Sequence, residues 1–221
     1  MKLKTIDLTK EYTRAKQGFE AVQQANIYLD NKELVSIIGH SGCGKSTLLN
    51  MITGMIAPTS GQILLDDTVI TNYSRDAWAV LRSGRIGYMP QGQSLLGNFT
   101  ILDNICMPAY LTGNKKDVTD KGLSLLEKVG LKGAENEYPA NLSGGEVRRV
   151  AIVRSLINEP ELLIADEPTS SLDPESAKII MELFKTISSE GVSVLVSTHD
   201  YEFLNYSNRT YKMEHGMIIA D

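Results

Sequence analysis

The run Gly39-His40-Ser41-Gly42-Cys43-Gly44-Lys45-Ser46-Thr47 has the residue types and spacing to hold a polyphosphate. Gly39, Gly42 and Gly44 let the backbone turn tightly and present successive N–H donors, and a helix starting there adds its positive dipole end. Lys45 is placed to reach the outer phosphates, and Ser46 to ligate Mg2+ through its hydroxyl. A glycine-rich turn also serves as a plain strand-to-helix connection, so the flanking elements have to decide. Asp166-Glu167 closes a later apolar run. Asp166 is placed to hold a metal ion directly or through water, and Glu167 to orient or deprotonate an attacking water. Alone, such a pair also suits a helix cap or a salt bridge. Leu142-Ser143-Gly144-Gly145-Glu146 offers a second anion site at a helix start, or a simple N-cap with Glu146 as the capping-box acid. Cys43 sits beside Lys45 at the start of a helix, an electropositive setting expected to lower a thiol's pKa; the alternative is a buried, inert thiol.

The elements around these residues set them at strand ends. Leu34 to Ile38 is an apolar strand run into the glycine-rich turn, and Leu48 to Thr53 continues a helix out of it. Glu161 to Glu167 is an apolar run closing in two acids, typical of a buried parallel strand, and Val192 to Thr198 is another, ending at His199. Parallel sheets collect their chemistry where strands end, here at Gly39, Asp166-Glu167 and His199. Before this core, Met1 to Leu8 and Ala25 to Asp30 read as strands of an antiparallel layer joined through the polar stretch Thr13 to Gly18. Tyr12 follows the first strand, placed either to stack on a base or to sit half-buried at a strand end. Gln62 to Leu65, Asp66-Asp67 and Val69-Ile70 read as a hairpin, and Arg85 to Met89 as a strand ending at Pro90-Gln91. From Gly92 to Asn141, glycines punctuate short amphipathic helices, notably Val118 to Val129, and Glu146 to Asn158 and Pro174 to Ser189 read as further helices. The expected architecture is α/β: a P-loop (RecA-like) core with an N-terminal antiparallel β layer and an inserted α-helical subdomain. The whole chain, 1–221, forms one domain, with the core at 1–91 and 156–221 and the helical subdomain at about 92–155.

The totals allow one real core and weigh against several classes. At 221 residues the chain is long enough for one sizeable domain. A net charge of −5 gives no electrostatic reason to expect a nucleic-acid partner. Two cysteines, Cys43 and Cys106, make no disulfide framework and suit a reducing compartment. There is no basic-then-apolar leader and no apolar run of ~18 residues, which leaves the cytosol, with membrane association requiring a partner.

With these motifs in this order, the sequence resembles the ATP-binding cassette (ABC) ATPases along nearly its whole length. Gly39 to Thr47 resembles the Walker A motif, Gln91 the Q-loop, Leu142 to Glu146 the family signature, Leu162 to Glu167 the Walker B motif, Ser171-Leu172-Asp173 the D-loop, and His199 the switch histidine. The resemblance implies ATP and Mg2+ as ligands and ATP hydrolysis as the activity. By it, Tyr12 stacks on adenine, the Gly39 to Thr47 loop holds the phosphates, and Ser46, Gln91 and Asp166 serve the metal. Glu167 is the base and His199 holds the γ-phosphate. It also implies a head-to-tail homodimer on ATP binding, with Ser143, Gly144 and Gly145 of one copy facing the nucleotide of the other.

Lys10-Glu11-Tyr12, the stretch Ser94 to Pro108 with Asn104 and Pro108, and Val129-Gly130-Leu131 are similar to ATPases of lipoprotein-releasing, macrolide-efflux and cell-division complexes. That similarity implies a separate membrane permease as partner and a place on the inner face of the membrane. Leu95, Leu96 and Phe99 are candidates for a groove receiving the permease, or for core packing within the helical subdomain. Glu146, Ser170-Ser171 and Met89-Pro90 depart from the branch's usual residues. The rival readings are a soluble ABC ATPase of translation or DNA repair, and a scaffold that uses nucleotide only for regulation.

Overall fold

The computed structural model describes residues 1–14, 17–92, 95–113 and 117–219. The strands are β1 (Leu3–Arg14), β2 (Gln17–Ala25), β3 (Tyr28–Leu29), β4 (Leu34–Ile38), β5 (Ser60–Leu65), β6 (Thr68–Val69), β7 (Ile86–Met89), β8 (Leu162–Asp166), β9 (Ser193–Thr198), β10 (Arg209–Glu214) and β11 (Met217–Ile219). The helices are α1 (Lys45–Ile52), α2 (Arg75–Gly84), α3 (Ile101–Leu111), α4 (Val118–Lys128), α5 (Gly144–Leu156) and α6 (Pro174–Ser189). The strands run β6-β5-β1-β2-β11-β10-β4-β9-β8-β7, with β3 paired to β1. The segment β10-β4-β9-β8-β7 is parallel, and β1 pairs antiparallel with β2, β3 and β5. Every residue of β4, β8 and β9 is buried, as expected for apolar strands covered on both faces.

Three apolar cores hold these layers. Leu3, Leu8 and Val22 of the antiparallel layer pack with Leu48, Leu49 and Ile52 of α1. Ile180, Met181 and Phe184 of α6 cover Val194 and Val196 from the other side. Ile101, Ile105, Leu126, Val150 and Val153 tie α3, α4 and α5 into a separate helical core.

Several expectations need correction. The strand pairing with β1 is Gln17–Ala25; of the expected Ala25 to Asp30, Ala25 ends β2 and only the two residues of β3 form a further strand. Part of the expected connection, residues 15–16, lies outside the described residues, as does Ser94. Tyr12 lies within β1 rather than after it. Helix α2 was not expected: it buries only Trp78 and Leu81, too thin an apolar stripe to register as a period, although Ser74 caps it by accepting from the Ala77 N–H. Helix α5 begins at Gly144 rather than Glu146, because Ser143 caps it despite two glycines in the first turn.

Candidate functional site

The phosphate loop is fixed from behind as much as by its own sequence. A Cβ on Gly39 would come within 2.3 Å of the Met213 carbonyl oxygen, and one on Gly44 within 2.3 Å of the Ala21 carbonyl oxygen. Gly44 also takes φ 114° as the residue preceding α1, a conformation that side chains resist. The loop is therefore pressed between β2 and β10, and the Gly216 N–H donates to the Cys43 carbonyl at 2.9 Å. In front of it opens a cavity of about 520 Å³ lined by Tyr12, Phe19, Ser41 to Thr47, Gln91, Glu167 and the His215-Gly216 turn, among others.

Lys45 lies folded back at the floor of this cavity. Its ammonium donates to the carbonyls of Gly39 at 2.7 Å and His40 at 3.1 Å, and pairs with Glu167 Oε1 at 3.0 Å. Both side chains are nearly inaccessible, 4% and 6% exposed, so the pair is a desolvated one. The other Glu167 oxygen, Oε2, meets His199 Nδ1 at 2.7 Å. One carboxylate thus joins the ends of β4, β8 and β9, the three strand ends picked out in the sequence. Glu167 holds φ 51° although it is not glycine, with its N–H donating to the Ser197 carbonyl at 2.9 Å. Such a buried outlier stores roughly 1–3 kcal/mol, maintained by its surroundings.

Asp166 is buried directly behind Glu167 and accepts from the Ser197 hydroxyl. Burial, with the Asp166 charge adding to it, pushes the Tyr88 hydroxyl up to about 12, and that hydroxyl donates to Asn50 Oδ1 at 3.0 Å. Ser46 and Gln91 line the same cavity as Glu167. These oxygen donors suit a hard cation that keeps most of its ligands as water and phosphate, which is the chemistry of Mg2+. Among the described residues no group of three or more His, Cys, Asp or Glu side chains stands ready to hold a metal on its own.

Other sequence candidates fall differently. Gly39 and His40 do not line the cavity and meet Lys45 through their carbonyls, while the exposed His40 ring faces His215, with centroids 5.7 Å apart. For Cys43 the second of the two sequence readings, a buried thiol, is the one the structure bears out. Its side chain is buried in the core behind the loop, and burial raises its pKa more than the neighbouring Lys45 lowers it. Ser143, Gly144 and Gly145 are absent from the cavity lining of their own chain. Ser143 is an exposed N-cap in a capping box: its N–H and hydroxyl both donate to Glu146 Oε2, at 2.8 and 2.7 Å, which holds the Glu146 carboxyl below its ordinary range.

Sequence reasoning missed Phe19 and the His215-Gly216 turn. Phe19 pairs across the hairpin with Tyr12, their rings 5.8 Å apart and 31° from parallel, and Lys10 Nζ lies 5.3 Å from the Tyr12 ring. The apolar-polar alternation of Phe19, Glu20, Ala21 within β2 was the available signal. Leu95 packs into two of the apolar cores, whereas Leu96 and Phe99 are exposed. Asn104 pins this stretch: fully buried, it accepts from the Leu96 N–H at 2.7 Å and donates to the carbonyls of Leu96, Phe99 and Thr100.

A sequence profile of the family described as ABC transporter matches residues 22–170. The chain belongs to this family. It is 36% identical over 98% of its length to the lipoprotein-releasing system ATP-binding protein LolD of Saccharophagus degradans, covering 96% of that protein. It is 38% identical over 98% of its length to LolD of Buchnera aphidicola subsp. Schizaphis graminum, covering 95% of it. Among solved structures, the dimeric post-hydrolysis state of the ATP-binding cassette MJ0796 bound to ADP and Pi superposes with a TM-score of 0.90 at 31% identity, over 99% of this chain and 97% of that one. This ABC cassette is thus an ATP-hydrolysing subunit of a transporter, with the α/β P-loop fold expected from its sequence.

Proposed function

We propose that the cavity between Tyr12 and Lys45 is the ATP site, with Glu167 as general base. The observation that carries this reading is the Lys45–Glu167–His199 network, one buried carboxylate holding a phosphate-type lysine and a histidine at three converging strand ends. Tyr12 and Phe19 present the base platform, and the N–H groups from Ser41 to Thr47 surround the phosphates with α1 behind them. Arriving phosphates draw the Lys45 ammonium away from Glu167, which leaves the carboxylate free to accept a proton from water, with His199 steadying its other oxygen. Ser46, Gln91 and Asp166 would hold Mg2+. When bound, that ion supplies charge neutralisation across the phosphate oxygens.

Ser143, Gly144 and Gly145 act on the nucleotide of a second copy in a head-to-tail homodimer closed by ATP. The exposure of Ser143 and Gly144, the absence of all three from their own cavity and the dimeric form of the similar MJ0796 cassette support this. A membrane permease is the mechanical partner, and the relatives named for lipoprotein release point to lipid-modified proteins as cargo. The seat for the permease is a groove of about 530 Å³ lined by Met55, Arg82, Tyr88, Pro90 and Pro108, beside Gln91, with Leu96 and Phe99 at the surface nearby in sequence. No helix among the described residues is long and apolar enough to cross a membrane, so the subunit would sit on the inner membrane face through that permease. The helical subdomain would span about 92–155, and the core 1–91 with 156–221.

Lys45→Ala and His199→Ala separate binding from turnover. The lysine meets charge present in the ground state, so its loss should abolish ATP binding as well as hydrolysis, whereas loss of the histidine should chiefly lower turnover. Titration with a fluorescent ATP analogue, alongside phosphate release, reads both. Equal loss of binding in the two variants would contradict the assigned roles.

A further inference from the structure

Arg148 lies in the second turn of α5, beyond the capping serine Ser143. Its Nη1 donates to the Gly92 carbonyl at 2.7 Å, and its Nη2 to Ser170 Oγ at 3.1 Å. Gly92 directly follows Gln91, so the first bond holds the exit of the segment that reaches the cavity. Ser170 belongs to the turn that leaves Glu167, where its N–H donates to the Glu167 carbonyl at 3.2 Å. A single guanidinium therefore ties three segments: the helix that starts at the signature, the strand end with Gln91, and the turn carrying the base.

Stability alone gives a weak reason for this arrangement. Arg148 is half-buried, its partners are a carbonyl and a hydroxyl, and none of the ion pairs among the described residues includes it. Burying a cation against neutral acceptors costs desolvation that a neutral side chain avoids. What an arginine adds is a planar, rigid fork that reaches two separate acceptors at once. Ser170 matches it, its hydroxyl supplying the second acceptor.

We propose that Arg148 is a positioning residue that couples movement of α5 to the placement of Gln91 and Glu167. This rests on the head-to-tail reading above, in which the start of α5 engages the second copy's nucleotide while Gln91 and Glu167 serve the first. The guanidinium then makes engagement at one nucleotide felt as alignment at the other, and it touches neither nucleotide itself. Its loss should leave the phosphate loop and base platform intact but let Gln91 and Glu167 drift, a misplacement that lowers turnover rather than affinity.

The test uses the full chain with Arg148→Gln, Arg148→Lys, Ser170→Ala and the Arg148→Gln/Ser170→Ala double variant, measuring kcat and KM for Mg-ATP and the Kd of a fluorescent ATP analogue. Arg148→Gln is expected to lower kcat by roughly ten- to a hundredfold with Kd within about twofold of the wild type, since the phosphate loop is untouched. Ser170→Ala should lower kcat less, Arg148→Lys should fall between wild type and Arg148→Gln, and the double variant should be no worse than Arg148→Gln, because both changes remove one shared contact. Wild-type kcat in Arg148→Gln, equal losses of kcat and affinity, or multiplying effects in the double variant would each overturn the proposal. If Arg148→Gln fails to fold, Ser170→Ala decides alone: reduced kcat at unchanged Kd supports the coupling and an unchanged kcat refutes it. Absence of turnover in the wild type would instead refute the ATP-site reading.

Discussion

Replacing Glu167 by glutamine should do two opposed things, both traceable to the Lys45 pair. In the resting structure the Lys45 ammonium shares its donors among Glu167 Oε1 at 3.0 Å, the Gly39 carbonyl at 2.7 Å and the His40 carbonyl at 3.1 Å. Breaking a buried ion pair by removing one partner costs about 3–5 kcal/mol when nothing replaces it. Here two carbonyls remain and the glutamine oxygen still accepts, so the loss is nearer the ~1.5–3 kcal/mol of one hydrogen bond to a charged group, and we take about 1.5 kcal/mol. That penalty applies to the nucleotide-free state only, because bound phosphates take over the lysine. Glu167→Gln should therefore lower the nucleotide-free Tm by about 3–6 °C and tighten nucleotide binding by about tenfold. Hydrolysis should fall by roughly 10²–10⁴, the usual contribution of a general base. Calorimetric titration with a non-hydrolysable ATP analogue, thermal melts and phosphate release measure the three effects. Unchanged affinity with lost turnover would refute the resting pair as a competitor of phosphate, and wild-type turnover would refute Glu167 as the base.

The remaining predictions draw on side chains near the same site. Cys43 should resist a small alkylating reagent in the folded protein with or without Mg-ATP and react only on unfolding, because it is buried and its thiol is pushed up; mass spectrometry showing fast native labelling that ATP blocks would contradict this. Glu146→Gln keeps the acceptor for Ser143 while removing a carboxylate held charged beside the serine that is proposed to face the second copy's γ-phosphate. ATP-driven dimers of that variant should form at a few-fold lower protein concentration in sedimentation velocity, and a need for higher concentration would show that the carboxylate makes a favourable contact across the interface.

The local parts of this site were legible in the sequence, and the parts built by distant packing were not. The run from β4 through the glycine-rich loop to α1 announces itself because one short stretch supplies strand, turn and helix, and the buried runs ending at Asp166 and Thr198 place the other two strand ends. The back wall of the loop comes from Ala21 and Met213, far off in sequence at opposite ends of the chain, and nothing in their own neighbourhoods marks them. The same packing decides between the two readings of Cys43: proximity to Lys45 is visible in the sequence, but the burial that outweighs it is not. Phe19 went unread because it follows a polar stretch that resembled a loop, whereas it lies in β2, paired with Tyr12 of β1. The Arg148 contacts join three segments separated in sequence, and no spacing rule connects them.

In the proposed dimer one chain holds ATP and a second copy completes the site. Phosphate release by Ser143→Arg tests it most directly, since Ser143 is exposed and lies outside the cavity lining of its own chain. The substitution gives up an N-cap, about 1 kcal/mol of stability, and leaves Lys45, Glu167 and His199 untouched. This variant should bind ATP as the wild type does and release no phosphate above background. Hydrolysis at the wild-type rate would contradict it, because the site would then be complete within a single chain.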